Sequence, residues 1–264
     1  MAAIDGKSIA ELVSGRDRDG LERHLRDTSN LPGPRANLKA AAALATALAN
    51  GDIDWAIGTI ERWSEIGPDR AGGNEPGVML PFTASQAAGA LWNGASLGQR
   101  QTLDAILRRA ANDPRWRVRE GAALGLQRIG FADFDALRKV TDRWRPDATL
   151  LEHRAIVAGL AEPPLMNTPE RAACGLDRAI AALHALLAVP AADRKNADAQ
   201  ALRKALGYAL SVFIAAEPAG FARLDHIARI PDKDAAWIVR ENLKKARLAK
   251  PYPDRCAATD ALLL

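Results

Sequence analysis

Aspartate and arginine recur in this sequence six residues apart. Asp113, Trp116, Val118, Arg119 and Glu120 form D-x-x-W-x-V-R-E, and the pattern returns 121 residues later as Asp234, Trp237, Val239, Arg240 and Glu241. Asp147 precedes His153 by the same interval, with histidine in place of arginine. A carboxylate and a guanidinium so spaced suggest an active site, and that is the reading to weigh first. The competing role is structural. An aspartate at a helix start accepts backbone N–H groups and suits the positive end of the helix dipole. An arginine one and a half turns later can reach the aspartate of the next repeat, giving a ladder. Asp113, Arg119, Asp147, His153, Asp234 and Arg240 are read as such a ladder, and no catalytic residue is expected.

A second set of residues could bind rather than react. Arg115, Arg117, Lys244, Lys245 and Arg247 are expected on the surface, at or just after the second helices of helix pairs. Trp144 stands among Arg138, Arg143 and Arg145, and a basic patch with an interleaved aromatic suits nucleic acid. Asp142 and Asp147 dilute that patch. Residues 101–147 hold ten basic and seven acidic side chains, so few phosphates could be held at once. The six tryptophans, Trp116 and Trp237 included, are otherwise expected to pack between helices.

Metal and cofactor chemistry finds no foothold. His24, His153, His184 and His226 are scattered, and no Cys/His group has metal-ligand spacing. Cys174 and Cys256 lie far apart and read as reduced thiols. Gly72 and Gly73 belong to no G-x-x-x-x-G-K phosphate loop. No metal and no cofactor is expected.

The elements that must carry these residues are helices. With 48% hydrophobic residues the 264-residue chain can bury a large core. Alanine, leucine and arginine are abundant and β-branched runs are few, which excludes an all-β fold. Val118, Ala122, Leu126 and Ile129 step by four, four and three along one helix face. Gly121, Ala122, Ala123 and Gly125 beside them would let a neighbouring helix come close. Helix pairs are read at 7–27 with 36–50, 53–66 with 80–93, 98–112 with 115–129, 131–144 with 148–161, 169–188 with 197–215, and 217–229 with 234–248. Second helices recur at the period of paired-helix repeats. The expectation is all-α, about eleven to thirteen helices in about six antiparallel pairs, one domain over 1–264. Gly67 to Pro81 is the longest loop, and the tail at 250–264 is expected to pack loosely or fray.

The repeated aspartate–arginine pattern resembles HEAT repeats, including the short-repeat kind of phycobilisome lyase subunits. The resemblance is specific at 98–130 and 217–248; the units at Lys39 and Arg203 lack the aspartate, having Gly33 and Ala197 there. It implies a right-handed α–α superhelix, an α-solenoid related to armadillo arrays. More distantly it points to helical-repeat DNA alkylation repair proteins. Those carry a tryptophan, an aspartate and an arginine around a DNA cleft, and no serine–tryptophan–aspartate stretch matches here, so no catalytic residue transfers. The function expected is a non-enzymatic scaffold that presents a concave helical groove to a protein partner. The alternative is a nucleic-acid-binding protein related to alkylated-base glycosylases; a chaperone for a bilin protein rests on family analogy alone. The formal charge of +4 permits nucleic acid without requiring it. Met1 to Asp27 has no apolar signal core and 76–98 is not continuously apolar, so a cytoplasmic protein without a membrane span is expected.

Overall fold

The computed structural model describes residues 8–263, and every regular element among them is helical. The chain divides into two compact units within those residues, up to Val140 and from Thr141 onward. The first holds α1 (Ile9–Ser14), α2 (Arg18–Asp27), α3 (Leu38–Ala49), α4 (Ile53–Ser64), α5 (Met79–Leu91), α6 (Leu97–Ala111) and α7 (Trp116–Ala132). The division falls within α8 (Phe134–Trp144). The second holds α9 (Leu150–Leu160), α10 (Pro169–Ala188), α11 (Ala197–Ala216), α12 (Phe221–Ala228), α13 (Lys233–Leu243), α14 (Ala246–Ala249) and α15 (Pro253–Asp260). None of the described helices is long and apolar enough to cross a membrane.

Local chemistry sets the helix starts. Ser8 with Glu11, Ser96 with Gln99 and Thr149 with Glu152 form reciprocal capping boxes, each satisfying two otherwise orphan N–H groups. Asn37, Asp52, Asn196 and Asp232 cap α3, α4, α11 and α13. The helix expected over 7–27 is two within its described part. The chain turns at Gly15–Asp17, where Arg16 adopts φ 52° and its guanidinium meets Asp52 at 2.6 Å. The described part of the tail carries a helix, with Thr259 its one buried residue. Tyr252 packs edge-on against Phe221, and α15 docks on α12 through Arg255 and Thr259, which donate to the Asp225 carboxylate at 2.7 and 2.6 Å.

In the first unit α5 is the hub, packed against α3, α4, α6 and α7. It is buried on nearly every side, including Thr83, Ser85 and Gln86. Glycines make this possible. A Cβ on Gly121 would sit 2.8 Å from the Phe82 carbonyl oxygen, one on Gly125 would strike the Ser85 carbonyl, and one on Gly89 would strike the Gly125 backbone. These contacts advance together along both helices, so α5 and α7 run parallel, main chain against main chain. In the second unit α11 is the hub, against α9, α10 and α13. Asn242 of α13 is fully buried, donates to the Leu206 and Ile238 carbonyls at 2.8 Å and accepts from the Ser211 N–H at 2.7 Å.

Two glycines should respond oppositely to alanine. At Gly58 of α4 an added Cβ meets nothing within 4 Å, so Gly58→Ala should gain up to about 1 kcal/mol of helix propensity. Gly89→Ala gains the same propensity but forces α5 from α7, a cost of about 1–3 kcal/mol or more, and should lower Tm. Thermal unfolding of the two variants checks the sign of each.

Candidate functional site

The residues expected on the surface divide sharply. Arg115 and Arg117 are buried, at 6% and 7% exposure. The expectation of surface cations fails because both spend their donors inside the first unit. Arg115 donates to the carbonyls of Ile66 (2.7 Å) and Ala71 (2.9 Å) and forms a two-point ion pair with Asp113 (2.6 and 2.8 Å). Arg117 reaches the carbonyls of Gly73 (3.0 Å) and Gly33 (2.9 Å). Together they pin the glycine- and proline-rich loop that follows α4. Trp144 is fully buried, so it offers no face to a base. Arg145 is exposed, whereas Lys244 is held by Glu241 at 2.7 Å with Lys245 at 4.0 Å from the same carboxylate; Arg247 is exposed.

The residues expected to form the ladder make other contacts. Asp113 does not cap α7: Arg115 occupies that position, and the Asp113 carboxylate holds Arg115 instead. Arg119 donates to the carbonyls of Asp113 (2.7 Å) and Pro114 (2.8 Å) at the start of its own helix. Thr149, not Asp147, caps α9. Asp232, not Asp234, caps α13. Asp234 is buried and accepts from Arg203 Nε at 2.7 Å and Arg194 Nη1 at 3.3 Å. Arg203, at the repeat's basic position in α11, therefore makes the neighbour contact, its guanidinium 3.7 Å over the Trp237 ring. Arg240 is exposed and pairs with no carboxylate among the described residues. Arg194, unmarked by any repeat, also takes Asp232 at 2.6 Å and the Val189 and Leu187 carbonyls at 2.7 and 2.8 Å. Burial alone would raise the Asp232 carboxyl, but the Arg194 hydrogen bond and the N–H groups of Asp234 and Ala235 hold it below the ordinary carboxylate value.

An apolar opening lies elsewhere in the first unit. A cavity of about 270 Å³ is lined by Pro34, Leu38, Met79, Phe82 and Trp116, with Arg35, Arg117 and Glu120 beside them. Met79 and Phe82 are buried at its floor, whereas Leu38 and Trp116 are 52% and 55% exposed. Trp116 was expected to pack between helices; it faces away from the buried Val118–Ala122–Leu126–Ile129 stripe instead. That two-residue offset was the signal in the sequence. The Arg117 guanidinium lies 4.4 Å from the Trp116 ring centroid and fixes the indole. Leu38 extends the stripe of Ala41, Leu44, Ala45 and Leu48 one turn past the core. Bridging the same unit, Arg128 of α7 donates to the Ala42 carbonyl (3.0 Å) and Thr46 hydroxyl (3.2 Å) of α3.

Among the described residues no three His, Cys, Asp or Glu side chains are grouped to hold a metal ion. Comparison of the chain with protein-family models, with curated proteins and with solved structures returned no match.

Removing one partner of a buried ion pair strands the other. Asp234→Ala should therefore destabilise the protein by about 3 kcal/mol, while Arg240→Ala should stay within about 0.5 kcal/mol. Equal effects in urea unfolding would return the ladder to Arg240. The buried histidines set a pH dependence. Burial, with the Arg145 charge adding to it, pushes the His153 imidazole below its ordinary value; burial does the same at His24, partly offset by Asp27. Both are held neutral in the fold, so stability should be complete above about pH 6.5 and fall as pH drops below it. His153→Gln should flatten that decline in unfolding curves recorded across the range.

Proposed function

We propose that the chain is a non-enzymatic binding scaffold, a HEAT-like right-handed α-solenoid of about six helix pairs, that presents a helical groove to a protein partner. The observation that carries this reading is the apolar opening at Leu38 and Trp116. Exposed tryptophan over a preformed apolar floor is the usual form of an interaction hot spot. The solenoid part is supported by the sequence repeat and by the rows α3–α5–α7 and α9–α11–α13, in which second helices of consecutive pairs pack in order. Two free thiols, Cys174 and Cys256, fit a reducing, cytoplasmic setting. The nucleic-acid alternative loses two of its supports, since Trp144 is buried and the Arg115 charge is met by Asp113.

Affinity capture from native extract, with Leu38→Asp and Trp116→Ala as comparators, tests the reading. At least one protein should be retained by the wild type and depleted about thirtyfold or more with either variant, the loss of one hot-spot residue. Circular dichroism checks that the variants fold. Recovery of nucleic acid alone, lost steeply with salt, would replace the protein partner with the alternative.

A further inference from the structure

The charge around the apolar opening says which protein segments fit it, and this inference rests on the binding reading just given. Arg35 and Lys39 flank Leu38, four residues apart, and both are exposed. Neither has a carboxylate partner among the described residues. Some surface cations are neutralised locally, Arg16 by Asp52, Arg255 by Asp225 and Lys244 by Glu241, whereas Arg35 and Lys39, like Arg240, keep their charge uncompensated, and these two stand beside an apolar opening. Arg117, inside the rim, meets the carbonyls of Gly33 and Gly73 and the Asn74 amide oxygen, groups that accept hydrogen bonds without cancelling its charge. Against these three cations the lining holds one acid, Glu120.

The cavity itself is small. About 270 Å³ suits one large side chain. Its floor of Met79 and Phe82 offers an inserted group no hydrogen bond from their side chains. A nucleobase would leave its polar edges unpaired there. An aliphatic or aromatic side chain loses nothing by entering.

We propose that this opening receives a single leucine, methionine or aromatic side chain from a partner protein segment whose neighbouring residues are aspartate and glutamate. The apolar anchor fills the space between Leu38, Trp116 and the floor, and the acidic flanks lie against Arg35, Lys39 and the edge of Arg117. Arg117 links the two halves of the recognition, since it both fixes the indole and supplies charge. Unpaired surface cations of this kind steer association and select partners more than they add affinity.

A peptide array decides the matter. The full-length chain is applied to short peptides with a central Leu, Met, Phe or Trp between acidic, neutral or basic flanks, and the best binders are titrated by fluorescence anisotropy. Acidic-flanked peptides should bind about tenfold or more tightly than neutral ones, basic-flanked ones least, with the preference fading as salt rises. Serine at the central position, or Trp116→Ala, should cost at least as much. The double reversal Arg35→Glu with Lys39→Glu, both exposed and outside the core, should invert the flank preference. Binding that ignores flank charge overturns the acidic-segment assignment while leaving the scaffold standing. Retention of no peptide, or displacement of every bound peptide by a single-stranded oligonucleotide, overturns both.

Discussion

Helix α5 has no face it can show to water without losing burial elsewhere, and the first unit is arranged around enclosing it. Four helices are needed to cover it, and α7 must come closest. That approach is set by Gly89, Gly121 and Gly125, whose missing Cβ atoms let two backbones touch. Each glycine costs about 1 kcal/mol of helix propensity relative to alanine, and the main-chain packing has to return more than that. The position of the apolar opening follows. With α7 drawn against α5, the start of α7 overhangs Met79 and Phe82, and Trp116 cannot retreat into a core already filled by Val118 and its stripe.

Arginine does in both units what a hydrophobic core does not. Arg115, Arg117, Arg128 and Arg194 each reach carbonyl oxygens in another segment, loop or helix end. A guanidinium has five donors in a planar fork, so one side chain can satisfy several carbonyls that a short loop or helix end leaves open. The cost is a desolvated charge, offset where Asp113, Asp232 or Asp234 lies at contact distance. The basic composition of the chain is thus partly internal structure, and counting cations from the sequence overstates the charge offered to a partner.

Much of the helical layout was legible because a period of 3.6 and capping residues are local signals. The pairs read at 53–66 with 80–93 and 98–112 with 115–129 match α4 to α7 within a few residues. The close approach at Gly121 and Gly125 was legible too, since small residues on one stripe have few other uses. What escaped was anything fixed by tertiary reach. Arg115 and Arg117 read as solvent-facing because their partners lie on a loop some 44 residues away in sequence. Arg203 rather than Arg240 engages Asp234 because α11 and α13 are neighbours in space, a fact no spacing within α13 encodes. The opening at Leu38 joins three segments distant in sequence, each unremarkable alone.

Arg128 fastens α7 to α3 across the hub helix that lies between them. One guanidinium on a three-carbon stem therefore gauges the separation of the two outer walls. A shorter residue would leave that span untied and a longer one does not exist among the standard side chains. The spacing of α3 and α7 is thus tied by polar contacts that the apolar packing of α5 does not itself supply.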